Sequence, residues 1–211
     1  MMESSELGII REQLLEGLIV VDSVARDTAL HAILAQAADT TSSALKAGRK
    51  LVIAGNGGSA ADAQHLAAEF VSRLCEDRPA MRAVSLTTDS SALTAIGNDY
   101  GFERVFSRQI EALGQAGDVF MGISTSGKSP NVLRALELCR ATGIATIGLT
   151  GRTGGEMPSL CDYCIRIPSD VTMHIQQAHL ALEHIFCMLV ERAYFGRDLS
   201  TGVGTHAVAK G

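Results

Sequence analysis

The chain has 211 residues, of which 46% are hydrophobic and only 4 are proline, so it is long and apolar enough to bury a full core. Its formal net charge is -5 and its lysines and arginines are not clustered, which argues against nucleic-acid binding. No apolar run approaches the roughly 18 residues of a membrane-spanning helix, and residues 1–6 carry acid where a signal peptide carries base. We therefore expect a soluble, cytoplasmic protein with a single domain over residues 1–196 and a flexible tail over residues 197–211.

The five cysteines do not indicate a disulfide framework, because their number is odd and the sequence shows no export signal. Cys75, Cys139 and Cys187 are predicted to be buried thiols in the core. Cys161 and Cys164 have the Cys-x-x-Cys spacing, but no second pair follows and the segment leads directly into a predicted strand. A zinc or redox role for this pair is therefore the less favoured interpretation.

Apolar residues at helical spacing predict two helices at the start of the chain, over residues 7–25 and 28–47. Five short apolar runs then alternate with helical stretches, and a last helix is predicted over residues 171–194. The predicted strands cover residues 51–54, 83–86, 119–123, 144–149 and 163–167. Because apolar strands that alternate with helices are typical of a parallel sheet covered on both faces, we expect an α/β three-layer sandwich with an N-terminal helical preface.

The first predicted strand leads into the glycine-rich loop Gly55-Asn56-Gly57-Gly58-Ser59, which stands directly before a helix. In an open parallel sheet, ligands bind beyond the carboxyl ends of the strands. Glycines allow a ligand to approach the backbone closely, and a helix start offers free N–H groups to an anion. A tight turn in which Ser59 is the N-cap explains this loop equally well.

A second loop, residues 124–130, follows the third predicted strand and carries four hydroxyl side chains around Gly127. They belong to Ser124, Thr125, Ser126 and Ser129. Ser129 can cap the helix that begins at Pro130, but the other hydroxyls have no comparable structural task. A phosphate offers several acceptor oxygens to such donors, so we favour a phosphate site. Neither loop has the Walker pattern or a complete dinucleotide fingerprint, which makes ATP and NAD poor candidates.

The helix after the glycine-rich loop places His65 and Glu69 four residues apart, so both side chains lie on one face. Taken alone, such a pair is more often a contact on the surface of a helix than a functional site. The predicted last helix contains a second group of polar residues in an otherwise apolar stretch, and both groups must be interpreted together.

This second group consists of Gln176, His179, Glu183 and His184. Gln176 and His184 are two turns apart, roughly 80 degrees around the helix, so they can line one pocket. His179 and Glu183 are interpreted instead as a possible surface pair. Neutral imidazole and carboxylate groups suit zinc or a similar ion, and they suit proton transfer near neutral pH equally well.

Together these motifs resemble the SIS family of sugar-phosphate isomerase domains, over most of the chain up to about residue 194. The resemblance is carried by residues 54–59, residues 65–69, the segment Ala95-Ile96-Gly97-Asn98-Asp99, residues 124–129, Ile175-Gln176 and His184. It implies a five-stranded parallel sheet with the flavodoxin-like strand order. It further implies a homotetramer with active sites at subunit interfaces and one zinc ion per subunit.

The activity that the resemblance implies is the conversion of D-sedoheptulose 7-phosphate to D-glycero-D-manno-heptose 7-phosphate, for heptose in bacterial lipopolysaccharide or capsule. By matching positions, the implied catalytic residues are Glu69 and His184. The implied metal ligands are His65, Glu69, Gln176 and His184. The implied substrate-binding residues are Asn56, Gly57, Gly58, Ser59, Glu69, Asn98, Asp99, Ser124, Thr125, Ser126, Ser129 and Gln176.

Other functions with the same fold remain as alternatives. A related SIS adaptor binds the bacterial replication initiator without catalysis, but it lacks the acid and the histidine that stand here as Glu69 and His184. An isomerase for another sugar phosphate would have similar loops. A sugar-phosphate-sensing regulator would need a DNA-binding module, for which this acidic single domain has no room. Whether Glu69 acts as base, as metal ligand or as both is also open.

Overall fold

The computed structural model of the chain describes residues 3–75 and 77–196, without the side chains of residues 3 and 4. Two long helices come first, α1 (Glu3–Arg26) and α2 (Thr28–Lys46), which confirms the predicted helical preface. The Asp27 side chain separates them, because its Oδ1 accepts a 3.0 Å hydrogen bond from the Leu30 N–H and caps α2. The predicted tail over residues 197–211 lies outside the described residues, so the predicted domain limits stay a prediction.

Five parallel strands form one sheet in the order β2-β1-β3-β4-β5. They are β1 (Leu51–Gly55), β2 (Ala83–Ser85), β3 (Val119–Ile123), β4 (Ala145–Thr150) and β5 (Tyr163–Arg166). This is the flavodoxin-like order, in which the chain moves from the centre of the sheet first to one side and then to the other. The predicted strands are confirmed, with ends that differ by at most one residue.

Helices connect the strands and cover both faces of the sheet. They are α3 (Gly58–Val71), α4 (Ser90–Tyr100), α5 (Ser107–Leu113), α6 (Pro130–Ala141) and α7 (Thr172–Phe195), with short 3-10 turns at Phe102–Arg104 and Met157–Ser159. Among the described residues, no helix is both long and apolar enough to cross a membrane.

Alternate residues of the central strand enter two separate cores. Leu51 and Ile53 pack with α2, α3 and α7 on one face, whereas Val52 and Ala54 pack with α5 and α6 on the other. Because successive side chains of a strand point to opposite faces, both sets are apolar when both faces are covered. The three-layer sandwich predicted from the unbroken apolar runs is therefore confirmed.

One of the cysteine predictions is wrong. Cys139 and Cys187 are buried in the two cores, as predicted, but Cys75 is exposed. It lies in the connection between α3 and β2, outside the helices and strands whose periodic faces form the core. Cys161 and Cys164 are half-buried free thiols.

The interpretation of His179 and Glu183 as a surface pair is also wrong, because both are almost completely buried. The reason is that α7 packs against α1, α2 and α3 and so is covered on several sides. His179 Nε2 lies 3.2 Å from the Thr150 carbonyl oxygen and donates to it, and burial lowers the pKa of His179 to about 4. Burial, and then the charge of nearby Asp62, raise the pKa of Glu183 to about 8.

The buried imidazole predicts a loss of stability in acid. The pKa of His179 is about 4 in the folded chain and 6.5 as an unperturbed group, so between these values only the unfolded chain binds the proton. The free energy of unfolding then falls as the pH falls, by up to about 1.4 kcal/mol per pH unit from this residue. We expect His179→Gln, whose amide can still donate to Thr150, to show a flatter pH dependence in urea denaturation over this range. Equal slopes for the variant and the wild type would contradict the assignment.

Candidate active site

The two loops singled out in the sequence lie side by side at the carboxyl edge of the sheet. Strands β1 and β3 are neighbours, and Gly55 at the end of β1 is in register with Ile123 at the end of β3. Strand β2 lies on the other side of β1 and β4 on the other side of β3, so the chain changes direction between these two strands. Ligands in open α/β sheets bind at this switch point.

The glycine-rich loop leaves the start of α3 without a side-chain cap. Gly57, with φ of 56°, is the N-cap residue, and the helix begins at Gly58. Ser59 is buried inside the first turn, so its interpretation as the N-cap is wrong. A Cβ atom at Gly55 would lie only 2.6 Å from the Ser59 carbonyl oxygen, which is why this turn needs glycine. The N–H groups at this helix start suit an anion or a polar ligand.

The hydroxyl-rich loop is held in shape by its own side chains. Ser129 is the N-cap residue of α6, but its hydroxyl does not cap the helix and instead lies 2.8 Å from the Ser124 hydroxyl. Ser126 Oγ accepts a 3.2 Å hydrogen bond from the Lys128 N–H. Gly127 has φ of 64° and is packed so tightly that a Cβ atom there would overlap the Gly154 carbonyl. The hydroxyl donors are therefore arranged before any ligand binds.

A pair of amide side chains joins the two loops. Asn56 Nδ2 donates to Asn131 Oδ1 at 2.9 Å, and Asn131 Nδ2 donates back to Asn56 Oδ1 at 2.9 Å. Asn131 is buried in the first turn of α6, where its Oδ1 also accepts from the Val132 N–H. Asn131 is not among the residues predicted from the sequence, because a single polar residue after Pro130 does not indicate a role in binding. Its partner lies on another loop and cannot be identified from spacing.

A pocket of about 190 Å³ opens beside the hydroxyl-rich loop. Its lining includes Thr125 and Ser126 together with two cationic residues, Lys128 and Arg152. Arg152 Nε is held 2.9 Å from Asp170 Oδ2 in an exposed ion pair. The pocket therefore combines hydroxyl donors with positive charge, which suits a phosphate group.

His65, Glu69 and His184 come together between α3 and α7. His65 Nε2 lies 2.8 Å from His184 Nε2 and 3.6 Å from Glu69 Oε1. The two imidazole rings meet edge to face, with centroids 5.0 Å apart. Since His184 is more than a hundred positions from His65 and Glu69, only the packing of the two helices brings this group together.

The chemistry of this group allows two uses. Its three ligand atoms lie within 4.8 Å of one another, and two imidazole nitrogens with one carboxylate oxygen form a donor set that suits zinc. The same groups can accept and donate protons near neutral pH. The His65 side chain is 44% exposed and that of Glu69 18%, so a small ligand can reach both.

Three other predicted residues, Gln176, Asn98 and Asp99, lie on α7 and α4. Gln176 lies on α7 and packs against the start of α3, since a Cβ atom at Gly58 would overlap its Nε2 atom. Asn98 and Asp99 lie on the exposed side of α4, where the Asn98 amide donates to Asp99 Oδ1 at 2.7 Å. The roles of all three in binding stay a prediction.

Comparison with known proteins places these motifs in a family. The SIS domain model matches residues 20–151. A phosphoheptose isomerase from Aneurinibacillus thermoaerophilus is 51% identical over 186 residues, which cover 88% of this chain and 94% of the relative. One from Burkholderia pseudomallei is 52% identical over 197 residues, which cover 93% of this chain and 100% of the relative.

This chain is also similar to solved structures of phosphoheptose isomerases. The structure of a phosphoheptose isomerase from Neisseria gonorrhoeae has a TM-score of 0.82 and 40% identity, covering 88% of this chain and 98% of that one. The corresponding enzyme from Francisella tularensis has a TM-score of 0.85 and 33% identity, covering 89% and 98%. The similarity therefore includes the fold and extends over most of the chain.

The tight packing of Gly127 predicts that a single methyl group disrupts the hydroxyl-rich loop. Gly127→Ala should weaken the binding of inorganic phosphate at least tenfold, about 1.4 kcal/mol, because the loop must move away from Gly154. Gly48→Ala is the matched control, since Gly48 also has positive φ, 77°, but a Cβ atom added there would meet no other atom within 4 Å. Calorimetric titration of both variants with phosphate measures the difference. Equal affinities would contradict a role for this loop in phosphate binding.

Proposed function

Because the chain belongs to the SIS domain family and is a sugar-phosphate isomerase of the phosphoheptose isomerase type, we propose that it converts D-sedoheptulose 7-phosphate to D-glycero-D-manno-heptose 7-phosphate. The observation that carries this proposal is the meeting of His65, Glu69 and His184 between α7 and α3, the helix that begins at the glycine-rich loop. This arrangement supplies proton-transfer groups on a helix that starts beside the proposed anion site.

We propose that the substrate is held mainly through its phosphate. Ser124, Thr125, Ser126 and Ser129 offer hydroxyl groups, and the start of α6 adds the positive end of its dipole. The sugar chain then extends toward the glycine-rich loop, where Asn56 is fixed by its amide pair. Backbone N–H groups at Gly57 and Gly58 lie in the same loop, and Gln176 borders it.

Glu69 is the proposed base. Aldose–ketose interconversion removes a proton from the carbon beside the carbonyl and returns a proton to the neighbouring carbon. In the ketose, the carboxylate takes the C1 proton, which gives an enediol, and the proton is then delivered to C2 to form the aldose. A single carboxylate on one side of the substrate can do both steps, provided that the sugar is held by its phosphate.

His184 is the proposed partner of Glu69. During the reaction a proton must also move from the oxygen on C1 to the oxygen on C2. An imidazole can donate with one nitrogen and accept with another, or exchange one proton at a single nitrogen. His184 Nε2 faces the His65 ring at 2.8 Å, which fixes the orientation of the imidazole and leaves Nδ1 as the nitrogen for such a transfer.

We propose that one zinc ion binds to His65, Glu69 and His184, with Gln176 as the fourth ligand. The three nitrogen and oxygen atoms that lie within 4.8 Å of one another support this set. The Nε2 atoms of the two imidazoles lie 2.8 Å apart, so both rings present a nitrogen that can serve as a zinc ligand in the same small space. When bound, zinc would stabilise negative charge on the substrate oxygens.

We propose a homotetramer, in which α1 and α7 contact other subunits. Large apolar residues of α1 are unusually exposed for a surface helix, among them Leu7, Leu14, Leu18 and Ile19 at 62%, 66%, 62% and 65%. A pocket of about 330 Å³ with an apolar lining lies between α1, α2 and α7. Apolar surface of this extent is typical of permanent subunit contacts.

We further propose that the product supplies heptose for the lipopolysaccharide or capsule of a bacterium, and that the enzyme acts in the cytoplasm. The relatives named above are bacterial proteins called phosphoheptose isomerases. Phosphorylated sugars are charged and do not cross membranes freely, so an enzyme that uses them works in the compartment where they are formed.

Exchange of the C1 proton with deuterated solvent, followed by NMR, tests the substrate and the base together. The wild type should exchange it and form the aldose from sedoheptulose 7-phosphate faster than from shorter ketose phosphates. Glu69→Gln should lower kcat by about 10²- to 10⁴-fold while binding of the substrate persists. Glu137→Gln on the exposed side of α6 is the control and should keep full activity. Faster exchange with a pentulose phosphate would identify the protein as an isomerase of a different sugar phosphate. Substantial activity of the Glu69→Gln variant would exclude Glu69 as the base.

Removal of metal tests the proposed zinc site. The wild type should bind one Zn²⁺ per chain, and complete, verified removal should abolish turnover until Zn²⁺ is restored. His65→Ala and His184→Ala should each weaken Zn²⁺ binding by more than about tenfold, because a ligand is lost. His31→Gln is the control, since His31 bonds to the Val24 carbonyl away from the site. Activity that survives verified removal of metal would rule out an essential ion.

A further inference from the structure

We infer that Arg78 is a positioning residue for this active site, because its guanidinium joins the end of α3 that carries Glu69 to α7, which carries His184. The inference rests on the proposed function, in which Glu69 and His184 act together. Arg78 itself lies in the connection between α3 and β2, and its side chain is completely buried. Neither the motifs of the sequence nor the spacing of its charged residues indicated this role.

On one side, Arg78 binds the end of α3. The last carbonyl groups of a helix have no partners within the helix, and α3 ends at Val71. Arg78 Nη2 donates to the Glu69 carbonyl at 2.7 Å, and its Nη1 donates to the Phe70 carbonyl at 2.9 Å. The positive guanidinium also complements the negative end of the helix dipole. The backbone of Glu69 is thus fixed although it lies in the last turn.

On the other side, Arg78 binds α7. Its Nε atom lies 2.8 Å from Glu191 Oε2, and these side chains are 0% and 4% exposed. The two atoms are close but are not aligned as a hydrogen bond, so the contact is a buried ion pair. Glu191 follows His184 by seven residues, about two turns, and therefore lies on the same side of α7. One guanidinium thus connects the backbone of Glu69 to the helix of His184.

The contacts of Arg78 affect the position of Glu69 more than that of His65. His65 lies one turn earlier, within the body of α3, where backbone hydrogen bonds fix it without help. Glu69 lies in the last turn, where carbonyl groups lack partners within the helix: the Ser72 N–H binds the Ala68 carbonyl, and Arg78 binds that of Glu69. A displacement of about 1 Å at a catalytic group can lower a rate about 10²-fold. Arg78 therefore holds the proposed base at the distance that the reaction requires.

A purely structural role is the competing explanation, because breaking any buried ion pair destabilises a protein. The chain offers a matched control in Lys50, whose Nζ lies 2.6 Å from Asp118 Oδ2. These side chains are 24% and 1% exposed and stand just before β1 and β3, and the other partners of Asp118 are the N–H groups of Lys50 and Gln115, which do not belong to α3 or α7. Loss of this pair lowers stability without any direct effect on Glu69.

The experiment compares Arg78→Met, Arg78→Lys, Glu191→Gln and Lys50→Met as full-length, zinc-loaded proteins. Arg78→Met should lower kcat per folded subunit by about 10- to 100-fold with little change in KM, because the phosphate site is on other elements. Arg78→Lys should recover part of this loss, since one ammonium can still contact a helix carbonyl. Titration with a chelating dye should show weaker Zn²⁺ binding in Arg78→Met. Lys50→Met should lower the Tm but keep wild-type kcat and Zn²⁺ affinity.

Several outcomes would overturn the inference. If Arg78→Met lowers only the Tm and keeps the wild-type kcat and Zn²⁺ affinity, Arg78 is structural. If Arg78→Met does not fold, unchanged kcat in both Arg78→Lys and Glu191→Gln overturns it in the same way. A wild type that does not turn over any sugar phosphate contradicts the proposed function instead. In that case, weaker Zn²⁺ binding by the Arg78 variants would still support the positioning role.

Discussion

The packing of α3 against α7 is the contact on which the proposed chemistry depends. The Phe70 and Phe186 rings are fully buried between these helices, with centroids 6.1 Å apart. Apolar packing of this kind fixes the distance between two helix axes, because protein cores are close-packed and resist displacement. Each helix brings one part of the polar group, and the 2.8 Å contact between His65 and His184 is a consequence of this packing. The core and the active site are thus built from opposite sides of the same pair of helices.

The sheet determines where the two loops of the proposed substrate site lie. Since β1 and β3 are paired in register through Gly55 and Ile123, the loops that follow them start at the same level. The amide pair between Asn56 and Asn131 then fixes one loop to the other. The strand register is set by the backbone of the sheet, and the amide pair includes the buried Asn131. Neither interaction requires a ligand, so the shape of the two loops does not depend on one. Binding of a phosphate at such a site costs little free energy for ordering of the protein.

The sequence predicted those parts of the structure that depend on local pattern. Strands with both faces buried were recognised as unbroken apolar runs, and the loops were recognised by the residues that follow each strand. Helical periodicity could not show that α7 is covered on several sides, so His179 and Glu183 were assigned to the surface. The start of α3 was misjudged because Gly57 and Ser59 both suit an N-cap. Asn131 could not be predicted, since its partner is distant in the chain. The predicted sugar-binding role of α4 rests on the family resemblance alone.

The two tasks proposed for Glu69 compete, because a carboxylate that gives its charge to zinc is a weaker base. The geometry separates the tasks by atom. Oε1 is the oxygen that lies 3.6 Å from His65 Nε2, on the side of the imidazole pair. In the proposed site two imidazole nitrogens would supply part of the ligand set, so an ion would need only one oxygen from Glu69. The second oxygen is then available for the carbon proton, and its position depends on the backbone of Glu69, which Arg78 fixes. Ligand and base can therefore be the same residue as long as the end of α3 does not move.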